Sequence, residues 1–184
     1  MRDIEFIPQE FNDIKLGDDE TEMVKTTLGF PNDEVKINTI AIHTPQQIIC
    51  NTSDTCIMPV VPMCVRYAVS LRRAYKYNHL SDELIHVKSV GDGTEYSGKI
   101  VEKIEDYCLP DSISPGVSEA VNEAQQYTDT ELDTGQYESG YLNVNIMEYV
   151  DFPFLPGKYE IWLSFYGLES NHTIVEIVQR STMK

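Results

Sequence analysis

The chain has 184 residues and carries 30 acidic against 14 basic side chains, which gives a formal net charge of −16 at pH 7. A charge of this sign repels phosphate backbones and anionic lipid headgroups, so nucleic acid and membrane surfaces are disfavoured as partners. Hydrophobic residues make up 41% of the chain. No apolar run reaches the ~18 residues of a membrane span, and we therefore expect a folded domain without membrane insertion.

The length suits one domain, and we predict a single domain over residues 1–184. Residues 1–34 form an acidic N-terminal extension, in which the run Ile4 to Ile7 ends at Pro8 and is typical of an edge strand. The first residues lack the apolar stretch of a signal peptide, which favours the cytoplasm unless Met1 was added to a mature form.

Alternation of apolar and polar residues, the mark of a strand with one buried face, recurs along the chain. Residues 65–71 and residues 142–146 alternate in this way. Shorter runs at residues 37–42 and 84–87 are rich in β-branched side chains and predict further strands. The sequence Gly-Asp-Gly at residues 91–93 predicts a hairpin turn that needs a positive φ.

Residues 110–140 interrupt the strand pattern and form a second acidic segment. No Lys or Arg occurs from residue 104 to residue 157. Ser118 is a suitable N-cap for the run EAVNEAQQY at residues 119–127, which favours a short helix. We therefore predict a long acidic insertion with one short helix, and long insertions on a β framework often carry function.

Acids are interleaved with tyrosines in the second half of this insertion. Carboxylates mixed with amphipathic aromatic rings are typical of protein contact surfaces. We therefore predict that a basic protein partner binds to Asp129, Glu131, Asp133, Tyr137 and Glu138. The alternative is a solvated loop that only keeps the protein soluble.

The charge pattern reverses between residues 56 and 81, where basic side chains meet no carboxylate in the sequence. The four basic residues of this segment are Arg66, Arg72, Arg73 and Lys76. Opposite charges on two segments allow a homo-oligomer in which this basic segment meets the acidic insertion of a neighbouring copy. Self-association is therefore a further alternative.

Residues 155–178, LPGKYEIWLSFYGLESNHTIVEIV, predict a β-hairpin with one apolar face. Its entry, FLPGKY at residues 154–159, resembles the approach to the penultimate strand of immunoglobulin-like and fibronectin-type sandwiches. There a Gly two positions before a Tyr prepares the tyrosine corner, in which the hydroxyl bonds back to the upstream backbone. The resemblance covers residues 151–178. Ile161 stands where antibody domains have a cysteine, so antibody-type recognition is not implied.

The alternation and this resemblance together imply an all-β fold, an immunoglobulin-like antiparallel β-sandwich with one short helix in a long insertion. Trp162 and Tyr166 alternate with the apolar residues of the hairpin and fall on its other face. If that face is open, the two rings would form a platform on which sugars stack. Cover by the insertion is the competing expectation for the same face.

Motifs for catalysis or for metal and cofactor binding are missing from the sequence. The four histidines are scattered, without HExxH, and no CxxC pair is present. Cys64 lies in an apolar run and is expected to be a small buried residue. We predict no catalytic residue, no metal site and no cofactor; an irregular surface calcium site at residues 129–135 is left open.

Two classes of function remain after these exclusions. The first is a non-enzymatic protein-binding domain, in a specific form an acidic inhibitor or immunity-type protein that neutralises a basic partner. The second is an extracellular adhesion, carbohydrate-binding or virion and surface-assembly domain that uses Trp162 and Tyr166. Because β-sandwiches carry many unrelated functions, the fold by itself does not choose between the two classes.

Overall fold

The structure, a computed structural model, describes residues 4–14, 16, 36–51, 59–77, 84–100, 128–133 and 135–180. Within these ranges the chain forms ten strands in two sheets, with short helices between some of them. The predicted all-β sandwich is confirmed at this level. The helix predicted for residues 119–127 lies outside the described residues.

The larger sheet has seven strands, β1 (Ile4–Ile7), β3 (Gln47–Asn51), β5 (Leu84–Ser89), β6 (Glu95–Lys99), β8 (Gly157–Phe165), β9 (Leu168–Glu169) and β10 (Thr173–Arg180). Their order is β1-β3-β10-β8-β5-β6, and β9 pairs with the end of β8. Neighbouring strands are antiparallel except β3 and β10, which are parallel. The predicted edge strand β1 and the predicted pairing of β8 with β10 are both confirmed.

The smaller sheet has three antiparallel strands, β2 (Thr39–His43), β4 (Pro62–Ser70) and β7 (Tyr137–Asn145), with β4 in the middle. Helix α1 (Leu71–Tyr77) follows β4 directly, and the single turn α2 (Asp129–Leu132) precedes β7. Among the described helices none has the length and apolar character to cross a membrane.

The core lies between the two sheets. β8 turns Tyr159, Ile161, Leu163 and Phe165 inward, as the alternation predicted, and all four are buried. The smaller sheet contributes Ile42, Met63, Val65, Val69 and Val144 from the opposite side. Burial of each such aliphatic side chain stabilises the fold by roughly 1.5–3 kcal/mol, and these residues belong to one continuous core.

The tyrosine corner that the resemblance implied is present. The Tyr159 hydroxyl lies 3.1 Å from the carbonyl oxygens of both Pro153 and Leu155, to which it can donate in turn. A Cβ at Gly157 would lie 3.8 Å from the Tyr159 ring, which is an ordinary van der Waals contact, so the position of the ring does not by itself require glycine there. The hydroxyl therefore fastens the incoming loop to the start of β8.

A second fastening joins the two sheets through the side chain of Asn171. Its Nδ2 donates to the Ile42 carbonyl at 3.0 Å, and its Oδ1 accepts from the Ile42 amide at 2.8 Å. The side chain thus replaces the edge partner that β2 lacks among the described strands. It fixes the segment between β9 and β10 against the smaller sheet.

Candidate functional site

The predicted partner-binding residues lie on α2 and β7, beside the end of the smaller sheet. Asp129 begins α2 and Glu138 lies on β7, although the side chains of both lie outside the described part of the structure. The other three, Glu131, Asp133 and Tyr137, are described with their side chains. The five residues follow one another along one stretch of chain, and the contacts of the three described side chains show what each of those three does.

Glu131 holds the start of α2. Its Oε2 accepts from the Thr128 amide at 2.9 Å and from the Thr128 hydroxyl at 2.7 Å, which is one half of a capping box. These bonds hold the pKa of the Glu131 carboxyl below its usual value, and the bond from the Thr128 amide has the largest effect. The Glu131 carboxylate is exposed to solvent, yet it already caps the N-terminus of α2.

Asp133 joins α2 to α1 and to the approach of β2. Its Oδ1 accepts from Arg73 Nη2 at 2.9 Å and from Asn38 Nδ2 at 2.8 Å. Arg73 is only 8% exposed, whereas the Asp133 side chain is 54% exposed. Beneath this pair Ser70 donates from its hydroxyl to the Leu132 carbonyl. The acidic and basic segments thus meet within one chain.

Tyr137 and Tyr141 are the open part of this region. They lie four residues apart on β7 and therefore share its outer face, with exposures of 56% and 49%. The Arg66 guanidinium lies over the Tyr141 ring at 5.5 Å from its centroid, in register across β4 and β7. Among the described strands β7 is an edge of its sheet. We call Arg66, Glu131, Asp133, Tyr137 and Tyr141 the β7 surface.

A second group of side chains lies on the outer face of the larger sheet, around Trp162. His86 stacks on one side of the indole, with ring centroids 4.9 Å apart and planes at 6°. His172 stacks on the other side, at 4.8 Å and 2°. Trp162 is the single tryptophan of the chain. Both faces of its ring are therefore covered by imidazoles, and we call the three residues the tryptophan stack.

The two histidines of the stack have different surroundings. His172 has Nδ1 at 3.0 Å from Glu160 Oε1 and Nε2 at 3.2 Å from Glu169 Oε1. The hydrogen bond to Glu160, as the largest cause, raises the pKa of His172. His86 pairs through Nε2 with the Ser164 hydroxyl at 3.0 Å, and burial lowers its pKa.

The structure separates Tyr166 from Trp162. Tyr166 lies in the turn after β8 with φ of 49°, and its ring rests against Phe165 at 4.1 Å between centroids and packs on the core. The two rings do not form the shared open platform that alternation suggested. Sugar stacking on Trp162 and Tyr166 stays a prediction, and in this geometry it requires an imidazole to leave the indole.

The described residues hold no group of three or more His, Cys, Asp or Glu side chains placed to bind a metal ion. His86 and His172 cannot share an ion because the indole lies between them. Cys50 and Cys64 are free thiols. Burial raises the pKa of Cys64 to about 12, so this thiol stays protonated and is a poor nucleophile.

Comparisons of the chain with protein-family models, with curated proteins and with solved structures find no match. The assignment of function therefore depends on the chemistry of the β7 surface and the tryptophan stack.

The sequence indicated Trp162 and the acids of the β7 surface, but neither the two histidines that flank Trp162 nor the internal partners of the acids were predicted. Trp162 and His172 lie equally far from the turn of the predicted hairpin, so the register of its two strands places them opposite each other. His86 comes from a strand far away in the sequence, and no local pattern signals its place in the stack. The same holds for Arg73 and Asp133, which are 60 residues apart.

Proposed function

We propose that this chain is a non-enzymatic protein-binding domain that contacts a basic protein through the β7 surface. The observation that carries the proposal is the pair Tyr137 and Tyr141, both exposed on the outer face of the edge strand β7, in the same segment of chain as Glu131 and Asp133. Tyrosine rings bury large area at low entropic cost and are enriched at the centres of protein interfaces. The neighbouring acids favour a partner of opposite charge.

The internal contacts of the acids sharpen this proposal. Because Glu131 caps α2 and Asp133 pairs with Arg73, both carboxylates are fixed in place before any partner arrives. A preorganised charge loses little side-chain freedom on binding. The tyrosines then supply the buried area, and the acids supply orientation and a faster encounter at low salt.

The specific form that we favour is an acidic inhibitor or immunity-type protein that neutralises a basic toxin or enzyme. The net charge of −16 supports this form, since an acidic surface is attracted over long distance to a basic partner. The tyrosine corner at Tyr159 supports an immunoglobulin-like class for the framework that presents the surface. Such a protein would act by covering the active site of its partner with the edge strand β7, which requires no catalysis by the domain itself.

The test is an affinity capture from the native source with the wild-type domain and a Tyr137→Ser/Tyr141→Ser bait. The matched control is Leu155→Ser/Ile174→Ser, which removes two exposed apolar side chains elsewhere. Each capture is run at about 0.05 M and about 0.5 M NaCl, because screening weakens charge-driven binding. Circular dichroism of each bait establishes that it is folded.

The proposal expects one basic protein that binds the wild-type and control baits at low salt. The tyrosine variant should bind that protein at least ~10-fold more weakly, since interface tyrosines often contribute more than 1.4 kcal/mol. Binding should also weaken at high salt. Equal capture by the tyrosine variant, or loss with the control alone, overturns the β7 surface as the contact site.

A further inference from the structure

The contacts of His172 fit the doubly protonated form of its ring. Both of its ring nitrogens face a carboxylate oxygen, Glu160 at 3.0 Å and Glu169 at 3.2 Å. A neutral imidazole has one N–H donor and one lone pair, so one of these contacts would set a lone pair against a carboxylate. Only the imidazolium donates to both. The arrangement is therefore complete when His172 carries a second proton.

The stacked geometry gives this proton a structural consequence. With its two nitrogens bonded to Glu160 and Glu169, the His172 ring lies parallel to the indole and covers one of its faces. An imidazolium over an indole adds a cation–π attraction, which the neutral ring lacks. Loss of the proton removes the attraction and one hydrogen bond together.

The backbone beside His172 is fixed independently. Asn171 makes two hydrogen bonds with the Ile42 backbone, at 3.0 Å and 2.8 Å, and neither involves the imidazole. The chain on the other side enters β10, where Thr173 is paired in register with Ile161. A change at His172 is therefore a rotation of its side chain rather than an unfolding of the hairpin.

We propose that the His172 imidazole is a proton-operated cover on Trp162: protonated, it closes one face of the indole, and deprotonated, it swings away and opens that face. The inference does not depend on the β7 surface, which lies on the other sheet. An open indole face is what a planar or apolar ligand needs for stacking, so the cover also sets the pH range in which Trp162 is accessible.

The charged groups around the stack favour the protonated cover. Glu160 comes from β8 and Glu169 from β9, and both act on His172 directly. From β6, Glu95 acts on His86 rather than on His172, and it is paired with Lys88 of β5 at 2.6 Å. His86 on the far side of the indole has its pKa lowered mainly by burial, so it stays neutral while His172 is charged. The two imidazoles therefore titrate apart.

The test follows Trp162 fluorescence together with the ring-proton NMR shifts of His172, from about pH 5 to about pH 9. Trp162 is the only tryptophan, so its emission reports the stack alone. An imidazolium quenches indole emission, and we expect emission to rise with a midpoint above about 6.5, the ordinary pKa of histidine. The NMR shifts should follow the same midpoint. The upfield displacement of the His172 protons by the indole should shrink as the cover opens.

Variants assign the effect to the carboxylates. Glu160→Gln/Glu169→Gln should lower the midpoint by about 0.5 pH unit or more at low salt. The matched control is Glu176→Gln. Glu176 lies on β10 of the same sheet, and its carboxylate contacts Gln47 and Lys158 instead of a histidine. It should leave the midpoint unchanged. His172→Asn should remove the transition.

Two results would overturn the proposal. The first is an unchanged midpoint in the Glu160→Gln/Glu169→Gln variant. The second is an upfield displacement of the His172 protons that persists above the midpoint, which would mean that the neutral ring still covers the indole. Far-UV circular dichroism that stays constant through the transition is the expected sign of a local change; a parallel loss of strand signal would contradict a side-chain cover.

Discussion

At the scale of single residues, the Tyr159 hydroxyl makes a testable contribution to stability. Tyr159→Phe keeps the buried ring and removes the bond to the Pro153 and Leu155 carbonyls. We expect the free energy of unfolding to fall by ~1 kcal/mol, the usual net value of one hydrogen bond. Urea unfolding measures it. Tyr141→Phe, on an exposed ring, is the control and should change stability by less than ~0.5 kcal/mol.

Asn171 is the second residue whose polar atoms stabilise the fold. Asn171→Asp keeps the acceptor for the Ile42 amide but replaces the donor with an oxygen that faces the Ile42 carbonyl. We expect a loss of about 1–2 kcal/mol in the free energy of unfolding. Gln179→Glu adds the same charge at an exposed position of β10 and should cost less. Equal losses would assign the effect to net charge instead of to the lost bond.

His172 makes stability depend on pH with a definite sign. Its pKa is raised in the folded state, so its contribution is fully present below the unfolded value and is lost as pH rises through the folded value. The difference in unfolding free energy between wild type and His172→Asn should therefore shrink as pH rises above about 6.5. Urea titrations at several pH values measure it. A difference that grows with pH would contradict the charged stack.

At the scale of elements, the pair Arg73 and Asp133 joins α1 to α2. Asp133→Ala leaves a guanidinium that is 8% exposed without its carboxylate, and we expect a loss of ~1–3 kcal/mol. Solvent around the half-exposed Asp133 side chain screens the pair and reduces this loss. In a double-mutant cycle with Arg73→Leu, the combined loss should be smaller than the sum. Additive losses would show that the two side chains act separately.

The elements that sequence could predict are those with local patterns. β4, β7, β8 and β10 each alternate along their own length, and the β5–β6 hairpin carries its turn at Gly93, where φ is 77°. Helix α1 was missed because the alternation of β4 was extended through Leu71, which begins the helix. β3 was missed because it does not alternate: the consecutive residues Ile48 and Ile49 are both buried.

In the candidate site, too, some features follow from a local sequence pattern and others depend on contacts between remote residues. The exposure of Tyr137 follows from an edge strand with one outward face, which a pattern can indicate. The fixed positions of Glu131 and Asp133 depend on Thr128 and Arg73, and the second of these contacts spans 60 residues. Composition predicted an acidic surface; it could not show that these two carboxylates already have partners within the chain.

At the scale of the whole molecule, 30 acidic against 14 basic side chains should make the folded state repel itself. The described ion pairs are mostly between exposed groups and contribute little each. Unfolding moves the charges apart, so screening should stabilise the native state. We expect the free energy of unfolding to rise between about 0.01 M and 0.1 M NaCl, as the Debye length falls from about 30 Å to about 10 Å.

The measurement of this salt effect is urea unfolding, because guanidinium is itself a salt and would mask it. The Asp133→Ala variant should gain at least as much from salt as the wild type, since its local attraction to Arg73 is already gone. A fall in stability with salt would mean that local attractions such as Arg73 with Asp133 outweigh the net repulsion. The charged surface would then be organised mainly by internal pairing, even though the net charge of −16 is unchanged.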